Sequence, residues 1–129
     1  MHMKQWHRSS SIFEAFSFAL RGLQAAFVRE LNVRIQILIG TLVVCTMLFL
    51  QLPLFHMAIL VLAITIVITL EMINTSIELI SNMVHPEFSE TIRSAKDMAA
   101  GAVLLASIGA CIVGVMILFP AIISYVLSL

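Results

Sequence analysis

Two stretches of this chain, residues 35–70 and 98–129, contain no Lys, Arg, Asp or Glu, and all seven basic and seven acidic residues lie outside them. A chain of 129 residues cannot hide apolar runs of that length inside its own core, so the solvent around them must be lipid. Composition agrees: 61% of the residues are hydrophobic and 11% are charged, far from a soluble domain. Pro53 divides the first run into residues 35–52 and 54–70, and the second supplies residues 98–119 ahead of Pro120. At 1.5 Å per residue each piece reaches about 26–33 Å, which matches a hydrocarbon layer about 30 Å thick. The sequence therefore predicts an all-α integral membrane protein with three transmembrane helices. Residues 1–129 carry no internal repeat, linker or low-complexity tract, so a single domain is expected.

Orientation follows from the basic residues. Lys4, Arg8, Arg21, Arg29 and Arg34 precede the first span and Arg93 and Lys96 precede the third, whereas the turn at 51–56 and the tail carry none. The N-terminal segment and the second connection are then expected on the cytoplasmic side. No apolar h-region precedes the spans, so no cleaved signal peptide is expected. Over about residues 11–30, Phe13, Phe16, Leu20, Leu23 and Phe27 recur at helical spacing, while Glu14, Ser17, Arg21 and Gln24 fill another face. This reads as an amphipathic helix, lying in the membrane interface or packed on the bundle. Cys45 and Cys111 fall inside spans, where inert packing is expected rather than a disulfide. Ala102, Ala106, Ala110 and Gly114 form a smooth seam on the third span, suited to close helix packing and to oligomerisation of so thin a bundle.

The chemistry is concentrated where the spans meet the cytoplasm. Glu71, Asn74 and Glu78 are spaced i, i+3, i+7, so they share a face if the second span continues as a helix to about residue 84. Ionisable groups near membrane depth cost up to about 2.5–3.5 kcal/mol and usually serve a purpose. Glu30 stands just before the first span, and Lys96 and Asp97 just before the third, in the same belt. Such a belt suits Mg²⁺ and phosphate, because Mg²⁺ takes one or two carboxylates together with phosphate oxygens and water. Glu30 and Glu78 are the candidate metal ligands, Lys96 the cation for phosphate, and Glu71 the base for an attacking hydroxyl. Spacing alone equally allows Glu30 to pair with Arg34 and the remainder to form a solvated helix end. No Walker loop, GxGxxG, zinc-ligand spacing or nucleophile elbow occurs. His56 reads as a turn residue, and His85, followed by Pro86, as a helix end. A net charge of zero gives no sign of a nucleic-acid partner.

At SFALRGL, at the ELNVR run around Glu30, at ExxNTxIE from Glu71 to Glu78 and at AKDMAAGAVLL, the sequence resembles the prokaryotic diacylglycerol kinase family. That resemblance covers nearly the whole chain. It implies a homotrimeric bacterial plasma-membrane enzyme with its site between protomers at the cytoplasmic face. It further implies Glu71 as general base, Asn74 as its polar partner, Glu30 and Glu78 on the Mg²⁺ that accompanies ATP, and Lys96 and Asp97 on the nucleotide. Glu87 is expected to join the nucleotide-binding residues, and Arg34 and Gly22 to contact the lipid substrate. Asn32, Ile35, Ala100 and Gly101 are similar to the Gram-positive branch, which implies direct transfer of the γ-phosphoryl group of Mg-ATP to the hydroxyl of undecaprenol. Diacylglycerol is the alternative acceptor. A non-catalytic membrane interaction protein is the alternative of another class, and it leaves the polar belt without a shared purpose. Three positions depart from the family pattern: Asn82 in place of Asp, Ser89 in place of His, and Gln36 where the Gram-positive branch often has His.

Overall fold

The computed structural model describes residues 11–84 and 89–128; Lys4, Arg8, His85, Pro86 and Glu87 lie outside them. Four helices follow one another: α1 (Ile12–Arg29), α2 (Leu31–Phe49), α3 (Leu54–Val84) and α4 (Glu90–Leu127). Among the described residues there is no strand. The last three are long and apolar enough to cross a membrane, as the charge-free runs require. Large hydrophobic side chains cover their outer surfaces, and α4 has no fully buried residue. In water such a surface would aggregate, whereas in lipid it is the ordinary exterior of a multi-pass membrane protein.

Ser11 starts α1 by accepting the Glu14 backbone N–H on its hydroxyl at 3.2 Å, which satisfies one of the free donors of the first turn. Phe13, Phe16, Leu20, Leu23 and Phe27 of this helix are all exposed on the isolated chain. Arg21 lies over the Phe18 ring at 4.7 Å. A single extended residue, Glu30, separates α1 from α2 (φ −104°, ψ 116°). Its N–H bonds the Ala26 carbonyl and its own carbonyl accepts from Arg34 N–H at 3.3 Å, so the elbow between the two helices keeps its backbone bonds.

At 19 residues α2 spans about 28 Å, while α3, at 31 residues, runs about 46 Å and overshoots the hydrocarbon layer by roughly ten residues. The excess is the polar C-terminal part that carries Asn74, Glu78 and Asn82. Between α2 and α3 the chain reverses in a Schellman turn: Leu52 N–H reaches Met47 O at 3.1 Å and Gln51 N–H reaches Leu48 O at 3.2 Å. Gln51 takes the left-handed conformation this needs (φ 51°), and Pro53 prevents the helix from resuming earlier. The helix carrying the third span does not stop before Pro120; α4 passes through it to Leu127. A proline forfeits one backbone bond, which neighbouring groups can make good in a membrane helix. Thr41, Thr46, Thr65 and Ser76 donate their hydroxyls to the carbonyl four residues earlier, so these polar groups are satisfied without water.

The interior is small: among the described residues the buried ones are Val33, Gly40 and Met47 of α2 and Leu60 and Glu71 of α3, while the most extensive helix contact is between α3 and α4. Ala106, Ala110 and Gly114 are half-buried while Ala102 is exposed, so most of the small-residue seam is already used within the single chain. Cys45 and Cys111 are free and exposed on the isolated chain, Cys111 at the edge of the hollow among α2, α3 and α4. Phe49 and Tyr125 meet edge to face at 5.3 Å, tying the end of α2 to the end of α4. A Cβ on Gly40 would stand 2.8 Å from Cγ2 of Ile64, a branch that a helix holds in essentially one rotamer. Gly40→Ala is therefore expected to destabilise the bundle by about 1–3 kcal/mol. Adding Ile64→Ala should recover part of the loss in detergent-solubilised thermal unfolding.

Candidate active site

Glu71 is the only buried charged side chain among the described residues, with 4% of its surface exposed. Burying a carboxylate is costly unless its oxygens are hydrogen-bonded, and here both are. Asn32 Nδ2 donates to Oε1 at 2.9 Å and Gln36 Nε2 donates to Oε2 at 3.3 Å. Asn32 and Gln36 are four residues apart, so they share one face of α2, and that face meets α3 at Glu71. Two lone-pair positions of the carboxylate remain for a further donor. Immediately toward the bilayer, Gln36, Ile39, Ile64, Ile68 and Ala110 line part of an apolar hollow of about 150 Å³ among α2, α3 and α4.

Because α3 is unbroken from Leu54 to Val84, Glu71, Asn74 and Glu78 do share one side of it. Asn74 and Glu78 are half-buried, and Asn74 Oδ1 is enclosed without a hydrogen-bond partner. Glu30 lines a cleft of about 210 Å³ between α1 and α3, facing Thr75 and Ser76 and flanked by Gly22 and Arg29. A Cβ on Gly22 would meet open space, so the glycine leaves that cleft wide. Arg34 is exposed on α2, and among the described residues it makes no ion pair with Glu30, which removes the simple pairing that spacing allowed.

Lys96 and Asp97 diverge, because consecutive helical residues point about 100° apart. Lys96 is half-buried and donates from Nζ to Asn82 Oδ1 at 3.2 Å, bridging α4 and α3. Asp97 lies in an open concavity with Glu90, Ser94 and Met98, 3.8 Å from Arg93 along its own helix. That pair is well exposed and contributes little to stability. Glu30 lines the flank of α3 that carries Met72, Thr75, Ser76 and Leu79, whereas Asn82, the partner of Lys96, lies on nearly the same side of α3 as Glu71 but about 16 Å further along its axis, so the three groups do not converge within one chain. Among the described residues, no three of His, Cys, Asp and Glu converge to hold a metal alone. Glu30 and the hydroxyl-bearing Thr75 and Ser76 line one cleft with hard oxygens of the kind a phosphate-borne Mg²⁺ uses, but Glu78 lies on the Glu71 side of α3 and is not part of that lining.

Asn32, Gln36, Thr75, Ser76 and Asn82 were not assigned to the site from spacing. One signal was present in the first two, a pair of amides at i and i+4 heading an otherwise apolar span. The family model described as prokaryotic diacylglycerol kinase matches residues 17–118. A diacylglycerol kinase of Synechocystis sp. is 36% identical over 120 residues, covering 92% of this chain and 69% of that protein. Diacylglycerol kinase of Escherichia coli K12 is 29% identical over 104 residues, covering 78% and 83% respectively. The undecaprenol kinase of Bacillus subtilis is 28% identical over 116 residues, covering 88% and 94%. With a helical membrane fold, a carboxylate held at the head of the spans and a family match across most of its length, this chain belongs to the prokaryotic diacylglycerol kinase family.

Proposed function

We propose that this ATP-dependent lipid kinase transfers the γ-phosphoryl group of ATP directly to the hydroxyl of undecaprenol. The observation that carries the reading is Glu71, a buried carboxylate held by two amides beside an apolar hollow at the membrane end of a polar belt. In the proposed reaction the lipid hydroxyl oxygen attacks the γ-phosphorus, the bond to the β–γ bridging oxygen breaks, and ADP leaves. Glu71 takes the hydroxyl proton as the new P–O bond forms. Lys96 meets phosphate oxygens with its ammonium, and Asp97 and Glu87 complete the nucleotide side. Asn74 lies one turn from Glu71 and orients the reacting groups, while Arg34 and Gly22 border the lipid's approach. Mg²⁺ held by Glu30 and Glu78 would neutralise charge on the phosphates when bound.

The separation of Glu30, Glu71 and Lys96 within one chain supports a site completed between protomers, and with it a homotrimer of single-domain chains. The exposed aromatic face of α1 supports its lying in the membrane interface, and the basic residues before the first and third spans support the cytoplasmic side. Of the two amides on the proposed base, Asn32 resembles the undecaprenol branch and Gln36 departs from it, so the choice of undecaprenol rests on the resemblance at Asn32, Ile35, Ala100 and Gly101. Diacylglycerol remains the competing acceptor, being named in the relatives from Synechocystis and Escherichia coli. The two are separated by offering purified protein both lipids with radioactive MgATP. Label is expected chiefly in undecaprenyl phosphate; label chiefly in phosphatidic acid would overturn the acceptor, and label in neither would overturn the kinase reading.

A further inference from the structure

We propose that Asn32 and Gln36 are positioning residues for the phosphoryl transfer, acting as a two-point amide clamp that holds the Glu71 carboxylate in the orientation from which it takes the acceptor's proton. The inference rests on the reading of Glu71 as base. A glutamate has three side-chain torsions, and one contact would leave its carboxylate free to swivel about the last of them. Here each oxygen is held by a different side chain, Oε1 by Asn32 and Oε2 by Gln36, so both the position and the plane of the group are set. Both donors come from one face of α2, a helix whose neighbouring turns carry the buried Val33 and Gly40.

The chemistry of the clamp fits its task. Primary amides are neutral and do not compete for the proton that Glu71 must accept, whereas a lysine or arginine there would hold the carboxylate in an ion pair. The orientation of Gln36 is dictated by the carboxylate: its Oε1 is buried without a hydrogen-bond partner, and turning the amide over would set oxygen against oxygen. An enclosed carbonyl without a partner is costly, so the contact with Glu71 outweighs a free choice of rotamer. Position matters for rate because a general base works only within hydrogen-bond reach of its proton, and displacement by about 1 Å can cost about a hundredfold.

The test is a set of double-mutant cycles in the full-length protein in lipid micelles. Asn32→Ala and Gln36→Leu, each made in the native background, are expected to lower kcat by about tenfold to a hundredfold while the KM for MgATP stays within about twofold. In a Glu71→Gln background the same substitutions should leave the residual rate within about twofold, because there is no base left to position. Gln36→His, which keeps a ring N–H donor, should recover kcat to within about threefold of native. Equal fractional losses in both backgrounds, or full kcat in both clamp variants, would overturn the clamp. A thermal unfolding curve for each variant separates a loss of fold from a loss of rate: a clamp variant whose kcat falls only in proportion to its folded fraction also overturns it. Failure of the underlying reading is distinct, since it shows as undiminished turnover in Glu71→Gln alone.

Discussion

Glu71→Gln is expected to fold, to bind MgATP with nearly native affinity, and to turn over about 10²–10⁴ times more slowly than the native enzyme, the usual range for a lost general base. The structure explains why the fold survives. In the native site two amide nitrogens donate to two carboxylate oxygens. A glutamine has only one oxygen, so one donor would face the new NH₂ group. Gln36 can resolve this by turning its own amide over, presenting the Oε1 that is otherwise unpartnered. Asn32 keeps its acceptor, the new amide donates to Gln36, and no buried charge is left unpaired. A larger apolar replacement lacks this escape and would orphan two donors, at about 1–3 kcal/mol each. Steady-state kinetics of Glu71→Gln with ATP and lipid varied separately decide the matter. Turnover within about threefold of native removes Glu71 from the chemistry.

Lys96→Met is expected to lower kcat/KM for ATP by about 10²–10³-fold, the typical loss when one charged or hydrogen-bonding clamp on the reacting group is removed. Methionine keeps most of the length and apolar character of the lysine stem, so packing between α4 and α3 changes little. What disappears is the ammonium. In the structure that ammonium meets the Asn82 carbonyl oxygen at 3.2 Å, a neutral partner that orients Nζ without cancelling its charge. The family's usual aspartate at this position would compete with phosphate for the same cation. The Asn82 departure is thus compatible with nucleotide binding by Lys96. Measured as ATP saturation curves, an unchanged KM and kcat in Lys96→Met would show that the nucleotide phosphates lie elsewhere.

Much of the fold was legible because lipid imposes strict rules on a chain. A span needs about twenty uncharged residues, and only two long charge-free runs exist, one of them divided by Pro53. The shared face of Glu71, Asn74 and Glu78 was legible for a similar reason, since helical periodicity acts between near neighbours and α3 is unbroken. The helix that carries the third span runs on through Pro120 to Leu127. Proline is a strong stop in water, but in a membrane the backbone has no solvent to turn to, and the helix continues.

The amino-acid order by itself determined three membrane-crossing helices, a preceding helix, and a polar belt with Glu71 at its apolar edge. Only the folded chain decided which belt members meet: Asn32 and Gln36 close on Glu71 from 39 and 35 residues away, and Asn82 meets Lys96 across 14. It also decided which surface each of Lys96 and Asp97 serves, Lys96 meeting α3 and Asp97 staying on the open side of α4. The reason is physical. Periodicity states which side chains share a face of one helix, but which face meets which neighbour depends on packing summed over the whole bundle, where a single Gly40–Ile64 approach can set the register.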